Sequence, residues 1–219
     1  LPRCYDTKVR ISRLAVICLC VSHFAFANQV LEEVMAVVDS TPILHSDIEL
    51  ADLVSLVERD PDATVDDHRS RLLDARIHLE VQYRDLEDSG TLYRLDIDLE
   101  RALDTLVARA GNEQLLRAQL EDHGLVWADF EELALRIAAT SAFTEQRLRS
   151  RVSVSLDEVR TAYEELVLAR HESHDQTVPP LTSVHDELYR LILERKLNDE
   201  IERWLDSAAE RHDVTRFVR

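Results

Sequence analysis

Apolar residues recur along this chain at two spacings, and each change of spacing marks an element. Val30 to Val38 is rich in β-branched residues, Asp39 to Pro42 is turn chemistry, and Ile43 and Leu44 follow. That order predicts a strand, a turn and a second short strand. Beyond Leu44 the spacing becomes helical. Ser46, Asp47, Ile48 and Glu49 read as a capping box, with the Ser46 hydroxyl meeting a backbone N–H and Glu49 reaching back. The helix it opens runs through Leu50, Leu53, Val54 and Val57 and stops at Asp60 and Pro61.

A longer helix is expected from Thr64 to Ser89. Leu72, Leu73, Ile77 and Val81 fall on one face and Leu79, Tyr83 and Leu86 on another, so it is covered on two sides. Asp96 or Asp98 caps the next helix, where Leu99, Leu103, Leu106, Val107 and Ala110 keep the helical period. Asn112 opens a short helix carrying Leu115, Leu116 and Leu120. From Trp127 to Arg149 a stripe of Trp127, Phe130, Leu133, Ala134, Ile137 and Ala138 is widened by Ala139, Ala142 and Phe143, which suits close helix–helix contact. Ser155 to Glu158 is a second capping box, continued by Val159, Tyr163 and Leu166.

The apolar pattern lapses from Ala169 to Pro180, and Pro179 with Pro180 cannot continue a helix, so this stretch reads as a linker. The last helix spans about Leu181 to Arg211 through Val184, Leu188, Leu191, Leu197, Ile201, Trp204, Leu205 and Ala208. Val214 to Arg219 alternates like a strand and can pair with the N-terminal one. The expected fold is mainly α: a compact bundle of about six to seven helices with two or three short strands at the two ends. Residues 28–168 form the helical module, 169–180 the linker, and 181–219 a helix and strand that pack back on it.

The first 27 residues stand apart and read as an export signal. Lys8, Arg10 and Arg13 make a basic start, Leu14 to Phe24 is apolar, and Ala25, Phe26 and Ala27 supply the small–x–small pattern of a cut between Ala27 and Asn28. The 14 residues from Leu14 to Ala27 are too few for a membrane span, which needs roughly 20. A cleaved signal is therefore favoured over an anchor. The expected location is the periplasm, with no stable membrane insertion after cleavage.

Export sharpens the meaning of the composition. Cys4, Cys18 and Cys20 all lie in the leader, so the mature chain has no disulfide, thiol nucleophile or thiolate metal site. Removing a leader with four basic residues and Asp6 takes the formal charge from −17 to −20 over 192 residues. Such a surface repels phosphate backbones and anionic head groups, so nucleic acid and lipid are poor partners. Only Gly90, Gly111 and Gly124 are glycine, each placed where a helix stops. None remains for a phosphate cradle, a dinucleotide fingerprint or a nucleophile elbow.

Little else carries chemistry. His171 and His174 are the most suggestive metal pair, but they sit in the linker with no third partner at a defined offset. The other histidines are scattered singly, and carboxylates are so numerous that pairs arise by chance. No catalytic residue, metal site or cofactor is expected. Leu116, Leu120 and Trp127, on or beside a helix too short to cover much itself, are either core or the lining of a groove for extended chains.

The order of elements resembles that of SurA-like periplasmic chaperones, on these residues: Val34 to Asp39, Pro42 to Leu44 and Ser46 to Glu49 at the front; Ala75 to Gln82 and Leu95 to Asp98 in the middle; Leu120 to Leu125 with Trp127 and Phe130; Arg147 to Val152 and Ser155 to Val159; and Leu193 to Asn198 with Trp204 and Leu205 at the end. The resemblance covers nearly all of the mature chain and is one of pattern and order. It implies a non-enzymatic chaperone that holds unfolded outer-membrane proteins, or other extended polypeptides, against a module built from the N-terminal helices and the C-terminal helix. That family commonly carries one or two parvulin-type prolyl isomerase domains before the last helix. Here only Ala169 to Pro180 fill that place, too few for a domain of about 100 residues, so isomerase activity is expected to be absent. The competing readings are a degenerate prolyl isomerase and a structural subunit of a periplasmic assembly.

Overall fold

The front and rear of the chain meet in one small antiparallel sheet. A computed structural model describes residues 32–168 and 178–217, so the expected cleavage point at Ala27 and Asn28, and the pair His171 and His174, lie outside the described residues. Strand β1 (Val34–Val38) is central, flanked by β2 (Thr41–Leu44) and by β3 (Val214–Arg216) from the far end of the sequence. The register sets Val38 against both Thr41 and Val214. Asp39 turns the hairpin at φ 53°, a left-handed conformation that Asp visits more readily than most residues. Its N–H donates to the Asp213 carbonyl (2.7 Å), and its carboxylate accepts from the Asp213 N–H and meets His212 Nδ1, both at 2.8 Å. One turn residue thus ties the hairpin to the end of the last helix.

Seven α-helices complete the described fold: α1 (His45–Leu53), α2 (Val65–Asp88), α3 (Leu99–Arg109), α4 (Glu113–Asp122), α5 (Trp127–Phe143), α6 (Leu156–Tyr163) and α7 (Leu181–Ala209). The caps of four follow the sequence. Thr64 Oγ1, Asp98 Oδ1, Asn112 Oδ1 and Ser155 Oγ each accept the N–H three residues on, replacing a partner that the first helical turn lacks. Gly90 and Gly111 end α2 and α3 at φ 64° and 104°, where a side chain would strain.

Two expectations at α1 are corrected. The chain enters the helix directly from β2, so Leu44 is the cap position and its N–H donates to Asp47 Oδ2 at 2.8 Å. Ser46 is not the cap, and Glu49 instead meets His45 and His123, at 3.5 and 3.1 Å. The helix also stops at Leu53 rather than at Asp60, because Ser55 turns to φ 51° and Leu56 N–H closes onto the Ala51 carbonyl. A third correction concerns the stretch expected as one helix from Trp127 to Arg149. After Phe143 it widens into a π-turn (Thr144–Leu148) and then tightens into a 3₁₀ turn (Arg149–Arg151).

Helix α2 is the hub, covered on two sides as its pattern predicts. Leu72, Leu73, Ile77 and Val81 pack with Met35, Ala36, Val38 and Ile43 of the sheet, Ile48 and Ala51 of α1, and Ala208 of α7. Leu79 joins a second core with Leu50, Val54, Leu106, Leu116, Leu120, Phe130, Leu133 and Ala134 from α1, α3, α4 and α5. Each fully buried Leu or Phe here contributes roughly 1.5–3 kcal/mol relative to an exposed one. Because Ala208 and Leu205 belong to the first core, the C-terminal helix shares an interior with the opening hairpin.

Candidate functional site

The residues singled out on α4 and α5 go to the core. Leu116 is fully buried and Leu120 nearly so, both within the second core. Although α4 is short, the helices around it supply the cover that it cannot supply itself. The role of Leu116 and Leu120 as surface contacts for a client is thereby corrected. Trp127 is half-buried against Phe130, with ring centroids 4.7 Å apart. The Arg117 guanidinium lies 3.8 Å from its ring centroid and its indole N–H donates to Glu131 at 2.9 Å. Both the face and the polar edge of Trp127 are therefore taken.

A surface feature not anticipated from the sequence opens along the seam of α3 and α5. It is a cleft of about 510 Å³. Ala102 and Leu106 of α3, with Ile137, Ala138 and Ala142 of α5, supply its apolar part; Asp96, Asp98, Arg101, Arg109 and Glu145 are its charged residues. Small side chains at Ala102, Thr105, Ala138, Ser141 and Ala142 explain the opening. Spacing of three and four residues places them along one side of each helix, and two small faces leave room where larger ones would fill it. The run Ala138, Ala139, Ser141, Ala142 was the available signal, and close packing was the expectation it raised. Along α3 from Asp98 to Arg109 the rise is about 16 Å, enough for roughly five residues of extended chain.

Two of the lining residues, Asp96 and Gln146, are joined to each other. Gln146, in the π-turn, donates from Nε2 to the Asp96 carbonyl at 2.8 Å and accepts the Asp96 N–H on Oε1 at 3.3 Å.

On the α2 side of α5 sits a buried ionic cluster. Glu80 is completely buried, and its carboxylate accepts from Arg136 at 2.7 Å, Arg76 at 3.0 Å and Arg84 at 3.3 Å. Arg84 also donates to the Thr41 hydroxyl, Arg136 pairs with Glu132 at 2.9 Å, and the Tyr83 ring lies under the Arg136 guanidinium. Burial pushes the Glu80 carboxyl up, but Arg136 and Arg76 outweigh it and hold the group below the ordinary carboxylate range. Burial raises Asp47 above the usual aspartate range, although Arg76 opposes the rise. Burial and ion pairing with Arg76 and Arg136 together account for the shifts in this cluster, and its geometry is that of a cross-brace between α2 and α5. Glu80 and Arg136 are 56 residues apart, and among so many charges nothing local marks them.

Among the described residues no group of three or more His, Cys, Asp or Glu is placed to hold a metal ion. No described helix is long and apolar enough to cross a membrane. No family model matches the chain, and no curated protein matches it.

Proposed function

We propose that this chain is an exported, non-enzymatic chaperone of the SurA-like kind, which holds extended segments of unfolded outer-membrane proteins in the cleft between α3 and α5. The observation that carries the reading is the shared interior of front and rear: β3 pairs with β1, and Ala208 and Leu205 pack with Met35 and Ile43. A chaperone module assembled from separated segments requires that closure. Where the family carries its isomerase, the chain leaves α6 and returns as α7, and Tyr163 Oη donates to the Pro179 carbonyl across the gap at 2.7 Å. The two ends of the short linker are thus bridged directly.

The cleft suits a holder. Its apolar part takes alternate side chains of a β-prone client by burial, and its charged residues keep the occupied surface wet. Transient holding needs only micromolar affinity, about −8 kcal/mol. The formal charge of −20 on residues 28–219 keeps the carrier soluble and away from anionic membrane surfaces.

The test is dilution of an urea-unfolded outer-membrane β-barrel protein with and without the purified chain. Light scattering should fall at stoichiometric ratio, and a proline-peptide isomerisation assay should stay at the uncatalysed rate. Undiminished aggregation would remove the chaperone reading, and a catalysed isomerisation rate would favour an enzyme.

A further inference from the structure

We propose that two copies of this chain join edge to edge through β3, in antiparallel register about a twofold axis at Thr215. The inference goes beyond the chaperone reading and does not depend on it. It starts from the main chain of β3. The Asp39 N–H donates to the Asp213 carbonyl and the Phe217 N–H to the Met35 carbonyl, and Thr215 is the register partner of Val37. Hydrogen bonding alternates along an antiparallel strand, so Asp213, Thr215 and Phe217 turn their bonding groups to β1. The N–H and C=O of Val214 and Arg216 therefore point out of the sheet's edge. Among the described residues no strand or other backbone group meets them.

The opposite edge is closed, and the contrast singles out β3. In β2 the outward position is Pro42, the register partner of Val37, and proline has no N–H to give. The Leu44 N–H is taken by Asp47. Blunting of this kind is how an edge avoids pairing, and β3 has neither device. Its one charge turns beneath the sheet, where Arg216 meets Asp74 of α2. Thr215, Arg216 and Phe217 are exposed, Phe217 to 52 %, so a second chain can reach this edge.

An identical edge fits it in one register. With the axis at Thr215, Val214 of each copy faces Arg216 of the other as a hydrogen-bonded pair. The two Thr215 residues then face each other as a non-hydrogen-bonded pair, where side chains come closest. Val214 packs on the first core and Arg216 reaches α2, which puts Thr215 and Phe217 on the other face of the sheet. Thr opposite Thr is a favourable cross-strand match, and Phe217 lies diagonal to the second copy's Thr215, within reach of an aromatic ring. An axis one residue further on would set Arg216 against Arg216, like charges directly opposed. One residue back, the pairing would draw on His212, which is buried. Only the Thr215 register uses every free group of the edge without opposing like charges.

Cysteine crosslinking reads the axis directly. In the full chain Cys4, Cys18 and Cys20 are replaced by serine, so that a single introduced cysteine carries the one thiol. Under mild oxidant Thr215→Cys should give a disulfide-linked pair, because a non-hydrogen-bonded pair sets its Cα atoms about 4.5 Å apart, inside the disulfide range of about 4.4–6.8 Å. Tyr93→Cys, at a site 82 % exposed, should lag by roughly tenfold or more, since exposure without alignment closes no bond. Without oxidant, sedimentation of the unaltered chain should show a monomer–dimer equilibrium that shifts with concentration. Arg216→Ala, which loses the contact to Asp74 but keeps the N–H, should retain that equilibrium. Arg216→Pro, which also removes the outward N–H from each copy, should weaken it by roughly tenfold with helix content unchanged in circular dichroism. A chain that stays monomeric up to about 1 mM overturns the proposal. So does a dimer indifferent to Arg216→Pro, or crosslinking of Tyr93→Cys as fast as that of Thr215→Cys.

Discussion

The body of the protein and the hairpin that α6 makes with the first half of α7 are both rich in charge and both helical, yet they are held together differently. The body has completely buried side chains from every direction: Val38 and Ile43 in the sheet, Val54 after α1, Leu116 in α4, Phe130 and Ala134 in α5. Among the described residues of the hairpin only Val159 and Leu188 are buried, while Leu156 is 72 % exposed and Leu191 41 %. Polar contacts do the joining there. Lys196 Nζ lies 2.7 Å from Glu158 and 2.6 Å from the Ser153 carbonyl, and Tyr163 reaches Pro179. The difference shows that an apolar stripe specifies a face but not a partner. Leu188 and Ala208 lie on one long helix and both are buried, Ala208 in the core that it shares with the sheet and α2. A region with few buried apolar contacts opens at lower free energy than its neighbours, so the hairpin should be the part of this molecule that moves.

The strongest way to break this comparison is at its charges. Glu80→Ala leaves Arg76 and Arg136 buried without their shared partner, and should cost about 3–5 kcal/mol in urea unfolding. Lys196→Ala removes an ion pair of similar length from the hairpin but should cost no more than about 1 kcal/mol, because water already screens it. A small loss at Glu80 would mean that the body is not organised around its ionic cluster.

Truncating leucines makes the same comparison through packing. Leu116→Ala should destabilise the whole protein by about 2–5 kcal/mol, whereas Leu188→Ala should lie at about 2 kcal/mol, the low end of that range, if a more exposed hairpin can collapse around the truncation. Denaturant midpoints at constant m-value measure both. Equal losses would give the hairpin a real core. In the Leu116 variant, binding per folded molecule should be unchanged, in line with a residue that touches core rather than client.

These contrasts also separate what can be read along the chain from what cannot. Caps at Thr64, Asp98, Asn112 and Ser155 depend on residues three apart, so they stand in the sequence complete. The Ser46 reading failed although its spacing was right, because the chain enters the helix directly from β2, two residues earlier, which makes Leu44 the cap position and sends its N–H to Asp47. Pairing of the tail with β1 was readable from alternation at both ends. The α3–α5 cleft was not: the small residues of α5 do make the close contact expected of them, and the opening beside that contact depends on how α3 and α5 are placed. Glu80 and Arg136 illustrate the same limit: their meeting is a property of the packed fold.

A smaller effect is expected at the α6 cap. Ser155 Oγ accepts the Glu158 N–H at 3.2 Å while the Glu158 carboxylate takes the Ser155 N–H at 2.8 Å. Ser155→Ala should cost about 1 kcal/mol and should be felt locally. Amides of α6 should exchange faster with solvent while those of α2 keep their rates. A matching acceleration in α2 would show that hairpin and body open together.

Acid gives the mildest test and separates the regions without a mutation. The Lys196 ammonium and the Ser155 cap hold Glu158 down to about 2, far below its ordinary 4.5. A carboxyl whose folded pKa is depressed stabilises the fold fully above its unfolded value and loses that contribution as pH falls through the folded one. The hairpin should therefore loosen progressively between about pH 4.5 and 2. In the body, Glu80 and Asp39 are also held below the ordinary range, Asp39 chiefly by the Asp213 N–H, so the body weakens in the same direction. Asp47 runs the other way, since burial raises its pKa and protonation then favours the folded state. The body also keeps two apolar cores that no proton touches. Hydrogen exchange at pH 4.5, 3.5 and 2.5, corrected for intrinsic rates, should show α6 and the first half of α7 losing protection before α2 and α5. Glu158→Gln should already exchange fast at pH 6 and respond less to acid. Simultaneous loss in both regions would mean that the ion pairs of the hairpin are not what holds it closed.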